Sequence, residues 1–211
     1  MGLYQIVVQL PLLLLAIIVH EYAHGWVAEK FGDDTARIMG RLTFNPLVHI
    51  DPIGTIFLPL LGLLFGGPIF GWARPVPVNP YRLNNPRRDI IYVSLAGPLA
   101  NLLLAIICAF GLYFLRDFLL SAWGEAIRYL LSLLLVINVV LAVFNLLPVP
   151  PLDGWKILTG LLPPELNLDF LEPYGLFILL ILVASGIVGR LISVVASFII
   201  SHLTVSGPRF L

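Results

Sequence analysis

Charged side chains are so unevenly spaced along this chain that its apolar stretches delimit themselves. Asp, Glu, Lys and Arg are absent from residues 1–20, 52–73, 90–115, 129–152, 173–189 and 191–208. A helix needs roughly 20 mostly apolar residues to cross a hydrocarbon core about 30 Å thick. The first stretch stays apolar beyond His20 as far as Val27, which predicts a helix over residues 4–28. It shows neither the basic n-region nor the small-residue cleavage site of a signal peptide. Residues 90–115 and 129–147 predict two further spans, and 173–189 a shorter one that 191–203 continues along the interface.

Residues 52–73 depart from the pattern. Pro52, Gly54, Pro59, Gly62, Gly66, Gly67, Pro68 and Gly71 interrupt them, and breakers at that density oppose a continuous helix. They suit a re-entrant or interfacial segment whose backbone is covered by protein. The flanking residues 37–45 and 72–78 mix β-tolerant side chains with Pro and Gly, as short extended β pieces at the membrane edge would. The expected fold is an all-α membrane protein, a polytopic helical bundle of about four to five transmembrane helices. Residues 1–211 read as one integral-membrane domain, with its core over about 4–157 and a C-terminal helix over about 173–203.

Composition supports the bilayer reading. Hydrophobic residues make up 59% and charged residues 11%, against about 25% charged in an average soluble domain. Lys+Arg and Asp+Glu balance at 12 each, so no basic field exists to hold nucleic acid. The one cysteine, Cys108, excludes a disulfide framework and a Cys-rich metal site. Trp26, Trp72, Trp123 and Trp155 fall near the proposed span ends, where an aromatic belt is expected.

One ionisable cluster interrupts the first apolar helix: His20-Glu21-Tyr22-Ala23-His24. Residues four apart share a helical face, so both imidazoles can reach one metal ion. Glu21, one position on, is close enough to take a proton from a water activated by that ion without being a ligand. The structural alternative is a satisfied polar cluster between helices. Ionisable residues inside a membrane are costly and point to function. A hydrolytic zinc site commonly has three protein ligands, and the third could be His49, Asp51, Asp153, Glu165 or Asp169. Asp153 is well placed, because Pro148, Pro150 and Pro151 end the preceding helix and Gly154 permits a tight turn back. His49 remains its rival on ligand type.

Topology bears on this choice. If 52–73 does not cross, the His20/His24 end of the first helix and the Asp153 end of the third share one face; if it crosses, they are separated by the bilayer. The non-crossing arrangement also places Lys30, Arg37, Arg41, Arg74, Arg82, Arg87, Arg88 and Lys156 on one side. Only Arg116, Arg128, Arg190 and Arg209 are left for the other, which puts the site near the cytoplasmic face.

Three motifs in this order resemble the site-2 protease family of intramembrane zinc metalloproteases: His20-Glu21-x-x-His24, Gly97-Pro98-x-x-Asn101 and Asn145-x-x-Pro148-x-x-x-x-Asp153-Gly154. The resemblance covers about residues 16–157. It implies that His20, His24 and Asp153 bind one zinc ion, that Glu21 is the catalytic base and that Asn145 assists at the site. It implies peptide-bond hydrolysis in or near transmembrane segments of membrane-protein substrates, and a multi-pass protein of a prokaryotic plasma membrane. Gly97 and Pro98 resemble packing and kinking residues, and Asn101 an interhelical polar contact. This chain leaves no room for a PDZ domain between its helices, a departure from larger members. Two other readings fit the same residues: a non-catalytic metal-binding membrane scaffold, and a cation transporter, which an inverted repeat would favour.

Overall fold

The computed structural model describes residues 3–57, 73–121, 124–163, 165–166 and 168–204. Six helices organise it: α1 (Leu3–Lys30), α2 (Pro86–Phe114), α3 (Gly124–Asn145), α4 (Asp153–Leu161), α5 (Gly175–Ala184) and α6 (Ile187–Thr204). Of these, α1, α2 and α3 are each long and apolar enough to cross a membrane. The segment Asp169–Ala184 joins Ile187–Leu203 across a 74° bend, and the pair qualifies as a fourth span if counted together. The chain is an all-α, multi-pass integral membrane protein.

Local sequence accounts for most of the boundaries. Helix α2 begins a turn earlier than its uncharged run, at Pro86. A proline at the first helical position loses no hydrogen bond, since that N–H has no partner within a helix. The buried Asp89 carboxylate then accepts the Asn85 N–H at 2.7 Å and closes the turn. Arg87 and Arg88 join the helix at this end, where long basic side chains can reach the headgroups. The C-terminal stretch forms two helices rather than one: Gly186 takes a positive φ of 77° and ends the right-handed run.

Helix α2 is central, packing against α1, α3 and α4, while α3 also carries α6. Its inner face is built of small residues. Ala105, Cys108 and Ala109 close onto Leu135, Val139 and Val143 of α3 and Ala196 of α6. Alanines one turn apart let two helix backbones approach, the usual basis of packing where lipid is as apolar as the protein. The outer face of α2 exposes Leu99, Leu103, Ile106, Ile107, Phe110 and Phe114, a surface suited to hydrocarbon. A second cluster, Leu147, Leu152, Leu179 and Val188, holds the loop after α3 against α5 and α6.

Two expectations meet a different outcome. No β-strand occurs among the described residues. Thr35–Ile38 is a helical turn, and residues 73–79 form no regular secondary structure: Pro75 and Pro77 have no N–H to give, and the N–H groups of Val76 and Asn79 go to carboxylates. Trp155 is buried rather than part of an interfacial belt, because α4 packs onto α2. Of the segment 52–73, the opening Pro52–Phe57 is a π-helical turn; the path of 58–72, including Trp72, lies outside the described residues, as does Trp123.

Candidate metal centre

His20 and His24 lie one turn apart on α1, and their Nε2 atoms stand 3.0 Å from each other. Asp153, the first residue of α4, brings Oδ2 to 3.1 Å from each of them. All three side chains are buried, and the three ligand atoms form a group able to hold a metal ion.

The far side of each imidazole fixes its tautomer. His20 Nδ1 lies 2.6 Å from Asn101 Oδ1. Asn101 spends its amide N–H groups on the Ala16 carbonyl, at 3.0 Å, and on Asn138 Oδ1, at 2.8 Å. Asn138 in turn donates to the Leu134 carbonyl at 2.8 Å. The oxygen facing His20 is therefore an acceptor, and His20 donates from Nδ1. His24 donates from Nδ1 to the Val93 carbonyl at 2.7 Å. Both neutral imidazoles then present an Nε2 lone pair to the same point as a carboxylate oxygen. Three such electron pairs at this separation repel one another unless a cation lies among them. Ligand atoms of a tetrahedral zinc site, with bonds of about 2.0–2.1 Å, stand about 3.3 Å apart; the observed triangle is only a few tenths of an ångström tighter. The donor set fits a divalent metal, with an outer hydrogen bond on each histidine as such sites have.

Glycines admit this crowding at two points. A Cβ on Gly97 of α2 would lie 2.6 Å from His20 Nε2 and closer still to His24 Nε2, so any side chain there would fill the space the ligand atoms face. A Cβ on Gly154 would meet the Leu146 carbonyl carbon at 2.5 Å and the carbonyl oxygens of Leu146 and Leu147 more closely. With hydrogen there instead, α4 starts directly against the end of α3, which delivers Asp153 to the imidazoles. The other Asp153 oxygen, Oδ1, faces Lys156 Nζ at 4.0 Å.

Glu21 borders the same cavity, of about 350 Å³, together with Asn145, Val76 and Lys156. Glu21 Oε2 accepts the Val76 backbone N–H at 2.7 Å. Asn145 reaches the cavity wall, although its amide nitrogen donates back to the Leu141 carbonyl at 3.0 Å. The other acids and His49 stand outside the group. His49 is fully buried and donates from Nε2 to the Thr43 carbonyl at 2.9 Å. Asp51 caps its own turn, accepting the N–H groups of Ile53 and Gly54 at 3.0 and 2.7 Å. Glu165 and Asp169 are not part of the cluster. Asn138 escaped the sequence reading, although an amide within the uncharged run 129–152, seven residues before Asn145, was a usable signal; so did the contact of Gly97 with both imidazoles.

Fold and site together define a helical integral-membrane protein in which an H-E-x-x-H pair of histidines and a distant aspartate form a group able to hold a metal ion. The model of peptidase family M50 matches residues 9–128 and 120–182, and the chain belongs to that family, that of the site-2 proteases. Over 182 residues it is 43% identical to "Putative zinc metalloprotease YwhC" of Bacillus subtilis, covering 82% of this chain and 80% of that protein. It is 32% identical to "Putative zinc metalloprotease Rip2" of Mycolicibacterium smegmatis, covering 84% and 66%. "Zinc metalloprotease MJ0392" of Methanocaldococcus jannaschii is 28% identical over 72% of this chain and 33% of its own length. No solved structure matches.

Proposed function

We propose that this chain is an intramembrane zinc metalloendopeptidase, a single membrane unit that cuts peptide bonds in or near transmembrane segments of other proteins. The observation that carries this reading is the convergence of His20 Nε2, His24 Nε2 and Asp153 Oδ2 at 3.0–3.1 Å in the wall of a cavity that the Glu21 carboxylate also lines. His20, His24 and Asp153 would hold one zinc ion. Bound there, zinc would supply Lewis acidity, polarising a carbonyl and making water acidic near pH 7. Glu21 takes the proton of the attacking water and returns it to the leaving amine. Asn145, on the cavity wall, donates a hydrogen bond to substrate or to charge developing on it. Residues 73–79 line the cavity through Pro75, Val76 and Val78 and can hold an unwound substrate segment by backbone pairing.

The meeting of His20 with Asp153 supports the non-crossing path for 52–73. That path puts most basic residues on one side, which favours an active site near the cytoplasmic face of a prokaryotic plasma membrane. The test is cleavage of a reporter transmembrane helix in proteoliposomes. Wild type is expected to cut and to stop when a chelator removes its metal. Glu21→Gln is expected to keep its metal and lose cleavage by about a hundredfold or more. Full cleavage by Glu21→Gln would take the base role away from Glu21. An uncut reporter with metal-loaded wild type would favour the scaffold reading.

A further inference from the structure

Two carboxylates fasten the segment 73–79: Glu21 on α1 and Asp33 in the turn that follows α1. Val76 gives its N–H to Glu21 at 2.7 Å, and Asn79 gives its N–H to Asp33 at 2.6 Å. Asp33 is fully buried, and it also accepts from the Thr35 backbone at 3.1 Å. Between these two ties the chain reads Val76-Pro77-Val78-Asn79, preceded by Pro75. Proline has no N–H, so Pro75 and Pro77 leave Val76 and Val78 as the donors over residues 75–78. The Val76 side chain is itself buried, seated against Gly25 one helical turn beyond Glu21. A Cβ on Gly25 would lie 2.8 Å from Val76 Cγ1. The seating of Val76 is thus set by the same face of α1 that carries the metal-ligand pair.

A carboxylate on a glutamate has three side-chain torsions and sweeps a wide arc, whereas proton transfer requires it within hydrogen-bond reach of the water it serves. We propose that the Val76 backbone amide positions the general base: it pins Glu21 Oε2 and so aims the carboxylate into the cavity. This rests on the protease reading above. In it the segment has two tasks, since the stretch that lies beside the substrate also sets the base. Val76 is a positioning residue, and its contribution comes from its N–H rather than its side chain. A substrate segment that presses residues 73–79 into their seat would align Glu21 at the same moment.

The test separates the N–H from the side chain in the proteoliposome cleavage assay. Val76→Ala keeps the donor; Val76→Pro removes it, and replacing the Val76 amide by an ester removes it with almost no change of shape. Metal content and thermal midpoint are measured on each. The expected result is that the ester lowers kcat by about tenfold to a hundredfold with KM within about twofold and a full metal complement, because positioned proton transfer contributes on that scale. Val76→Pro follows the ester, and Val76→Ala, which keeps the donor, loses less kcat than either. An ester protein with wild-type kcat overturns the proposal. So does one in which KM rises while kcat holds, which would leave the segment a substrate-holding role only, or one that loses its metal, which would make the amide structural. Metal-loaded wild type that cuts nothing overturns the protease reading, and this one with it.

Discussion

Each imidazole facing the metal centre is held from behind by a group that can only accept. For His24 it is a backbone carbonyl, Val93. For His20 it is Asn101, whose role is fixed in turn by Ala16 and Asn138. Removing that support should weaken the metal without touching a ligand. Asn101→Ala is expected to lower metal affinity by about 10–100-fold, read by competition with a chromophoric chelator; unchanged affinity would mean that the Asn101–His20 bond is incidental. The two histidines and Glu21 were legible in the sequence because their spacing maps directly onto one helix face. Asn101 could be read as an interhelical contact, but its partner could not, since nothing local in the sequence says that residue 101 lies against residue 20. Asn138 was harder still: an amide in an apolar run marks a buried polar contact but does not name its partner.

At the scale of elements, Asp153 owes its place to the junction of α3 and α4. Three prolines stop α3 from continuing, the turn is short, and Gly154 lets α4 begin in contact with the carbonyls of Leu146 and Leu147. Gly154→Val is expected to displace α4 and abolish metal binding while α1–α3 stay packed. Circular dichroism should show helix content close to wild type, while metal analysis shows loss; a valine variant with full metal would mean that the junction is slack. The prolines and the Asp-Gly pair made this turn visible in the sequence. The β-tolerant run 72–78 was visible too, but not that it would form no ladder, because the N–H groups of Val76 and Asn79 go to carboxylates of Glu21 and Asp33, tens of residues away in the chain. The break between α5 and α6, by contrast, is local: it falls at Gly186, whose φ is positive.

For the whole molecule, the metal would tie the first long helix to a helix that follows the third, across a bundle whose middle helix offers only small side chains. Interhelical packing of that kind has no hydrophobic drive in lipid, so a shared ion should matter to stability. A ligand at 1,000 times its dissociation constant stabilises the native state by about 4 kcal/mol. Chelation in detergent is expected to lower the thermal midpoint by several degrees and zinc to restore it, with no such response in Asp153→Ala. The fold class was legible from charge spacing alone, because the bilayer demands long uncharged helices; how those helices are arranged rested on one inference, that residue 153 returns to residues 20 and 24.

Metal stoichiometry by mass spectrometry of the purified protein puts that inference to the most direct trial. One zinc per chain is expected in wild type and in Glu21→Gln, and essentially none in His20→Ala, His24→Ala and Asp153→Ala. A full zinc complement in Asp153→Ala would contradict the three-ligand centre on which the proposed chemistry stands.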